Sequence, residues 1–291
     1  MARIALLTPA AHNPYVRAWR DAFDRLAAAL GRAGLDVQAI EWPRAPQADA
    51  DLVMPLLAWG YHQDAADWLA MLEALQARGA RVLNDVGQLR WNTTKAYLAE
   101  LGAAGVPVVP TVFADRLDEA VVAEARARLG AETVVVKPQV SAGSHATLRL
   151  DPGDPLEGGP DGPAMIQPFL PAVSGEGEIS LVCFGGVFSH AVGKVAKAGD
   201  FRVQPQFGAA IGPIAPPSGA LEVARAALAA APGAPTYARV DLIRHPDGAL
   251  RVMELEAIEP DLFLEHAPDA GAAFAAAVKA ALQGDPRPTL R

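Results

Sequence analysis

Tyr237-Ala-Arg-Val-Asp-Leu-Ile-Arg-His-Pro-Asp-Gly-Ala-Leu-Arg-Val-Met-Glu-Leu-Glu256 reads as two strands joined by a tight turn. His245-Pro-Asp-Gly248 supplies the turn chemistry, and apolar residues alternate with polar ones on both sides. A period of two sends Glu254 and Glu256 to one face and leaves Asp241, on the partner strand, within reach of them. No Lys or Arg stands between the two glutamates, so like charges repel unless a cation is shared. Oxygen-only ligands of this kind favour Mg²⁺, and Mn²⁺ is also accommodated. Taken alone, the same hairpin reads more readily as an ordinary solvated acidic face than as a metal site.

Upstream, Glu132-Thr-Val-Val-Val-Lys-Pro138 is a β-branched strand ending in Lys137, followed by Ser141-Ala-Gly-Ser144. A flexible loop rich in backbone N–H and hydroxyl donors beside a lysine can cover phosphates. Each signal is weak by itself, since strand-end lysines are ordinarily exposed and Ser/Gly loops are ordinarily turns. There is no Walker A sequence, no G-x-G-x-x-G after the first strand, no H-E-x-x-H and no Cys/His zinc spacing.

In combination and in this chain order, the motifs resemble the ATP-grasp superfamily, over roughly residues 85 to 265. Lys95 and Val135-Val-Lys137-Pro138 match its two phosphate-binding lysines, and Ser141 to Thr147, with Gly143 and Ser144, resembles its lid loop. Met165-Ile-Gln167-Pro168-Phe169-Leu170 looks like the segment that reads adenine, and Glu178 matches the acid that holds the ribose hydroxyls. Arg239-Val-Asp241 and Glu254-Leu-Glu256 match the arginine and the metal-binding acids. Many members have Asn where this chain has Glu256, which leaves the number of ions open. Lys194 is assigned to ATP phosphate and Arg202 to substrate or transferred phosphate. For both, a charged strand edge is the plainer alternative.

The resemblance implies ATP and Mg²⁺ as cofactors and an ATP-grasp fold of two α+β lobes clasping ATP. It further implies a small carboxylic-acid substrate that becomes an acyl phosphate and an amine or similar nucleophile that opens it, with Arg239 stabilising the tetrahedral intermediate. Within the superfamily, Gly175-Glu-Gly-Glu178-Ile-Ser180, Ser189-His-Ala191 and Met253-Glu-Leu-Glu-Ala-Ile-Glu-Pro260 are most similar to the glutathione-synthetase-like group, and there to the D-cycloserine-forming ligases. That likeness implies cyclisation or amide formation on a small amino-acid-like substrate. An ATP-grasp kinase and a non-catalytic nucleotide-binding protein are the alternatives. A homodimer would suit the superfamily.

Residues 1–88 alternate strand and helix, the pattern of a small parallel α/β domain preceding the ATP-grasp lobes. Strands are expected at 3–7, 36–40, 52–56 and 81–83, with helices at 15–33 and 65–78. The central lid lobe is drawn at 89–168, opening on a helix at 92–101, and the C-terminal lobe at 169–291. Ligands of parallel sheets lie at the carboxyl ends of strands, which singles out the loops carrying His12, Asn13, Tyr15, Trp59, Tyr61 and His62.

The chain has 291 residues, 51% of them hydrophobic, enough for a sizeable core in two or three lobes. Its net charge of -8 is spread without basic runs, which argues against nucleic acid or an anionic membrane as partner. No charged leader with an apolar core of signal length precedes the first strand, and no later apolar span reaches about 18 residues, so a cytoplasmic protein is expected. The single cysteine, Cys183, lies in a strand and reads as a core side chain. His190 reads as a core or edge histidine, since no catalytic partner can be named for it.

Overall fold

The computed structural model describes residues 1–284. The end of the third lobe drawn from the sequence, residues 285–291, lies outside them. β1 (Arg3–Thr8), β2 (Asp36–Glu41) and β3 (Leu52–Met54) form a parallel sheet in the order β2-β1-β3. β1 is apolar on both faces because both are covered. Ile4 and Leu6 join Leu30 of α1 (Arg20–Arg32) in one core, while Ala5 and Leu7 join Trp68 and Leu72 of α2 (Ala65–Ala77) in another. The loops leaving β1 and β3 run side by side, Leu57 N–H donating to Leu7 O at 3.1 Å.

Two expected helices are interrupted. The one expected at 15–33 is a 3₁₀ turn, Pro14–Arg17, followed by α1, with Asn13 accepting from Tyr15 N–H at 3.0 Å. The one expected at 92–101 is two helices, α3 (Val86–Thr93) and α4 (Tyr97–Ala103). Asp85 and Gln88 close a capping box at the start of α3, and Thr94, at φ -109° and ψ 135°, ends it in extended conformation. Asn92, Thr93 and Thr94 compete with the helical backbone for hydrogen bonds, and Thr93 Oγ1 already bonds Leu89 O at 2.8 Å. The interruption holds Lys95, whose N–H bonds Gln139 O at 2.7 Å.

The middle of the chain builds an antiparallel sheet from β4 (Val112–Ala114), β5 (Val134–Pro138), β6 (Leu148–Leu150) and β7 (Ala164–Pro168), in the order β4-β7-β5-β6. Val134, Val136 and Ile166 pack on Val122 and Ala125 of α5 (Glu119–Leu129). By alternation, Val135, Lys137 and Gln167 face the other way, into a cavity.

β8 (Glu178–Phe184), β9 (Val187–Val195), β10 (Ala210–Pro213), β11 (Tyr237–Arg244) and β12 (Leu250–Glu256) form an antiparallel sheet ordered β10-β9-β8-β11-β12. β11 and β12 coincide with the two strands read from the sequence on either side of His245-Pro-Asp-Gly248. β10 was not anticipated, since Gly212 and Pro213 give it little strand character and it is tolerable only at an edge. α6 (Ala220–Ala230) packs on the core shared by β8, β11 and β12. α7 (Ala272–Gln283) carries Phe274 against Phe184, ring centres 5.5 Å apart, and lies in one core with Ile4, Leu6 and Leu30 of the first sheet.

Buried Asn84 reinforces that junction. It donates to Tyr237 O and Ala257 O, both at 2.9 Å, and accepts from Thr236 N–H at 2.6 Å. Cys183 is buried, and burial pushes its thiol up to about 12, consistent with a core side chain. None of the described helices is long and apolar enough to cross a membrane.

Candidate active site

A cavity of about 850 Å³ opens where the three sheets meet. It is lined by every site residue named from the sequence: Lys95, Lys137, Ser141, Gly143, Ser144, Gln167, Pro168, Phe169, Leu170, Glu178, Lys194, Arg202, Arg239, Asp241, Glu254 and Glu256.

The register of β11 on β12 explains the floor. Arg239 pairs with Glu256 and Asp241 with Glu254, so all four side chains share one face. The expectation that the glutamates lack basic neighbours held along the strand but fails in space. Lys95 Nζ stands 2.5 Å from Glu254 Oε1, and the Arg239 guanidinium bonds Glu256 and both oxygens of Asp241. Asp241 also accepts from Ser180 Oγ at 2.6 Å and Lys194 Nζ at 3.0 Å. Lys194, expected at a charged edge or on phosphate, is buried between Asp241 and Glu178, 3.0 Å from each.

Charge balance follows from these pairings. Burial works to raise the Asp241 carboxyl, but Arg239 and Lys194 outweigh it and hold it well below the usual range. Burial also opposes ionised Glu254, and Lys95 and Lys137 outweigh it in turn. Glu256 goes the other way. Burial, with help from Glu254 and Asp241, overcomes Arg239 and lifts its carboxyl to about 7. Glu259, missed in the sequence, is lifted to about 8 by burial and by Glu256. Lys137 has no carboxylate at salt-bridge distance among the described residues: its Nζ lies 3.7 Å from Met253 Sδ, and burial lowers its pKa against the pull of Glu254.

The donor set fits a divalent cation. It is all oxygen, with three carboxylates on one face of the hairpin. Among the described residues, however, no group of three carboxylates, histidines or cysteines stands in metal-binding geometry.

The lid loop is tethered at both ends of its arc. Lys95 Nζ donates to Ser141 O at 2.8 Å, and Ser144 Oγ donates to Gln204 Oε1 at 2.8 Å. Gly143 has φ +61°, and a Cβ there would come 3.5 Å from Tyr15 Oη, so this loop passes directly beneath the amino-terminal domain. Across the cavity, Gln167 Nε2 bonds Thr111 Oγ1 at 2.9 Å, and the N–H of Phe169 is engaged with Thr133 O at 3.0 Å. Phe169, Leu170, Phe201, Ile243 and Met253 make this wall apolar. Arg202 reaches the cavity stacked 3.7 Å above Phe207, its guanidinium forked on Asp200.

Tyr15, Trp59, Tyr61 and His62 line the cavity, as the strand-end rule suggested. His12 instead pairs with Asp64 at the surface, 3.2 Å away. His190 is a structural residue, bonded to Leu262 O at 2.9 Å and Ser189 Oγ at 3.0 Å. Glu259 and Asp261 also line the cavity without having been singled out. The acidic run Glu254-Leu-Glu-Ala-Ile-Glu-Pro-Asp261 was their signal, but the strand period stops at Glu256, and beyond it spacing no longer tells a side chain's direction.

Residues 4–84 match the family described as D-cycloserine synthetase DcsG, N-terminal domain. The cycloserine biosynthesis protein DcsG of Streptomyces lavendulae is 31% identical over 256 residues, covering 76% of this chain and 79% of that one. The crystal structure of D-cycloserine synthetase DcsG superposes with a TM-score of 0.81 at 28% identity, covering 96% of this chain and 99% of that one. Two further solved structures share the fold at 17% identity. The D-alanine–D-alanine ligase of Bacillus anthracis complexed with ATP has a TM-score of 0.73, covering 98% of each chain. The ATP-grasp ligase PsnB, complexed with a phosphomimetic variant of its minimal precursor, Mg and ADP, has a TM-score of 0.64, covering 96% of this chain and 98% of that one. With this sequence likeness, this fold and this assembly of side chains, the chain belongs to the DcsG family of ATP-grasp ligases.

Proposed function

We propose that the protein is an ATP- and Mg²⁺-dependent ligase that forms a C–N bond on a small amino-acid-like substrate through an acyl phosphate. Its DcsG relatives favour the ring-closing form of that reaction. The observation that carries the reading is the convergence of Lys95, Lys137, Lys194 and Arg239 on one cavity whose floor is the Asp241, Glu254 and Glu256 hairpin.

In this reading the adenine enters the apolar wall of Phe169, Leu170, Ile243 and Met253, and Glu178 holds the ribose. Lys137, half-buried and without a salt-bridge partner among the described residues, takes phosphate, and Lys95 exchanges Glu254 for phosphate as the nucleotide arrives. Asp241, Glu254 and Glu256 would hold Mg²⁺, which neutralises phosphate charge and orients the transferred group. The substrate carboxylate then takes the γ-phosphoryl group, and nitrogen attack on the acyl carbon expels phosphate. Arg239, fixed by Asp241 and Glu256, places its guanidinium where the tetrahedral oxyanion develops. The lid, tethered through Ser144 and Gln204, keeps water from the acyl phosphate. We place the reaction in the cytoplasm.

A kinase would use much of the same machinery and stop at a phosphorylated product; a binding protein would not turn over. Incubation with ATP, Mg²⁺ and a panel of amino-acid-like substrates, followed by product analysis, separates the three. Phosphate release with an amide or cyclic product is expected. A stable phosphorylated substrate, or nucleotide binding without hydrolysis across the panel, would reject the ligase.

A further inference from the structure

His62 lies in the loop after β3 with 8% of its surface exposed, and neither ring nitrogen has a hydrogen-bond partner among the described residues. Of the described side chains left with buried, unpartnered polar atoms, it is the one that lines the cavity. A buried polar group without a partner costs stability, so an imidazole kept where an apolar ring would fit points to a partner supplied from outside the chain. Its surroundings say what kind.

The ring meets Tyr61 edge-on at 6.1 Å and His145 of the lid loop at 5.5 Å, so it sits where the amino-terminal domain meets the lid. The residues assigned above to nucleotide lie between 95 and 256, which leaves this end of the cavity for the other reactant. Burial, reinforced by His145 and Lys95, brings the imidazole down to about 4 and keeps it neutral. A neutral imidazole offers one N–H and one lone pair. Phosphate and carboxylate, which only accept, would leave the lone pair unmet. A nitrogen bearing hydrogen meets that lone pair, and the other ring nitrogen, which points away from it, donates to a separate acceptor.

We infer that His62 is a positioning residue for the attacking nitrogen, accepting its N–H so that its own lone pair faces the acyl carbon, and that it then holds the amide of the product. This rests on the ring-closing form of the ligase reading. The nitrogen's hydrogen bond to His62 orients it, and its unprotonated state is the reactive one.

D-cycloserine, the product for which the DcsG relatives are named, is the probe. Calorimetric titration of D-cycloserine into the protein with Mg-ADP bound compares wild type with His62→Phe and His62→Gln. We expect His62→Phe to bind Mg-ADP within twofold of wild type and D-cycloserine at least tenfold more weakly. His62→Gln, which keeps a donor and an acceptor, should fall between. The melting temperature of ligand-free His62→Phe should equal or exceed that of wild type, whereas a structural role would lower it. Unchanged D-cycloserine affinity in His62→Phe overturns the inference, as does wild-type protein that binds Mg-ADP but not D-cycloserine; both leave an ATP-dependent ligase standing. Wild-type protein that binds no Mg-ADP overturns the ligase reading and this inference together.

Discussion

Lys95 Nζ stands 2.5 Å from Glu254 Oε1, so in the ligand-free protein a residue expected on phosphate holds a residue expected on metal. Each occupies the place the other's ligand would take, and the pair screens a cavity that would otherwise expose two opposite buried charges. Glu254 is thus a partly buried, paired group rather than a free surface carboxylate. Glu254→Gln should lower turnover by at least a hundredfold while the protein stays folded, with a stability loss on the order of 1–3 kcal/mol from the weakened charge-assisted bond. Phosphate release and urea unfolding of the variant check both parts; near-normal turnover would remove Glu254 from the site.

Lys137 should behave in the opposite way on stability. It is half-buried against Met253 with no carboxylate at salt-bridge distance among the described residues, and desolvation outweighs the pull of Glu254, so its charge is a net cost to the free protein. Lys137→Met is expected to melt at or above the wild-type temperature while kcat/KM for ATP falls by about a hundredfold or more, the loss of one well-placed phosphate contact. A variant that melts lower and keeps its kcat/KM would show the lysine to be structural.

The raised carboxyls of Glu256 and Glu259, at about 7 and about 8, make the ligand-free fold sensitive to pH. Between about 4.5 and 8 the folded chain keeps protons that the unfolded chain has released, so these groups lower stability as pH rises through that window. His62, at about 4, acts with the opposite sign from 6.5 downward, because there the unfolded chain binds the extra proton. A comparison with Glu259→Gln isolates one contribution. The variant should gain stability relative to wild type progressively from pH 5 to pH 8, by a few kcal/mol at most. Urea unfolding at four pH values measures it, and parallel profiles for the two proteins would contradict the burial of Glu259.

Ser144 Oγ and Gln204 Oε1 form the single side-chain tether seen between the lid loop and the loop before β10 among the described residues. Ser144→Ala should weaken lid closure by about 1 kcal/mol. Faster proteolysis within 141–147 in the ligand-free protein is the expected signature, with protection restored by Mg-ATP. Equal cleavage rates would show that the tether does not hold the lid.

Asn84→Ala tests the junction between the first and third sheets. Its amide satisfies Thr236 N–H, Tyr237 O and Ala257 O in a buried setting. A loss on the order of 3 kcal/mol or more is expected in chemical denaturation. A loss below about 1 kcal/mol would mean the junction repacks.

The strands of the site were legible because alternation is a local property. Glu178 to Phe184, Val187 to Val195 and the β11–β12 hairpin follow from their own residues, and with them the shared face of Asp241, Glu254 and Glu256. The break at Thr94 was not, since helical spacing continues across it and only packing makes Lys95 worth the lost helical bonds.

The sequence by itself determined which chemistry was available: lysines and an arginine for phosphate, an acidic hairpin for a cation, a hydroxyl-rich loop for a lid. Only the tertiary structure decided who neutralises whom. Lys95 and Lys194 come from distant segments to pair with the hairpin, Arg239 pairs across it, the carboxyls of Glu256 and Glu259 are raised by burial, and His62 has no partner among the described residues. Ion pairing and burial depend on distance and dielectric in space, which residue order along a chain does not encode.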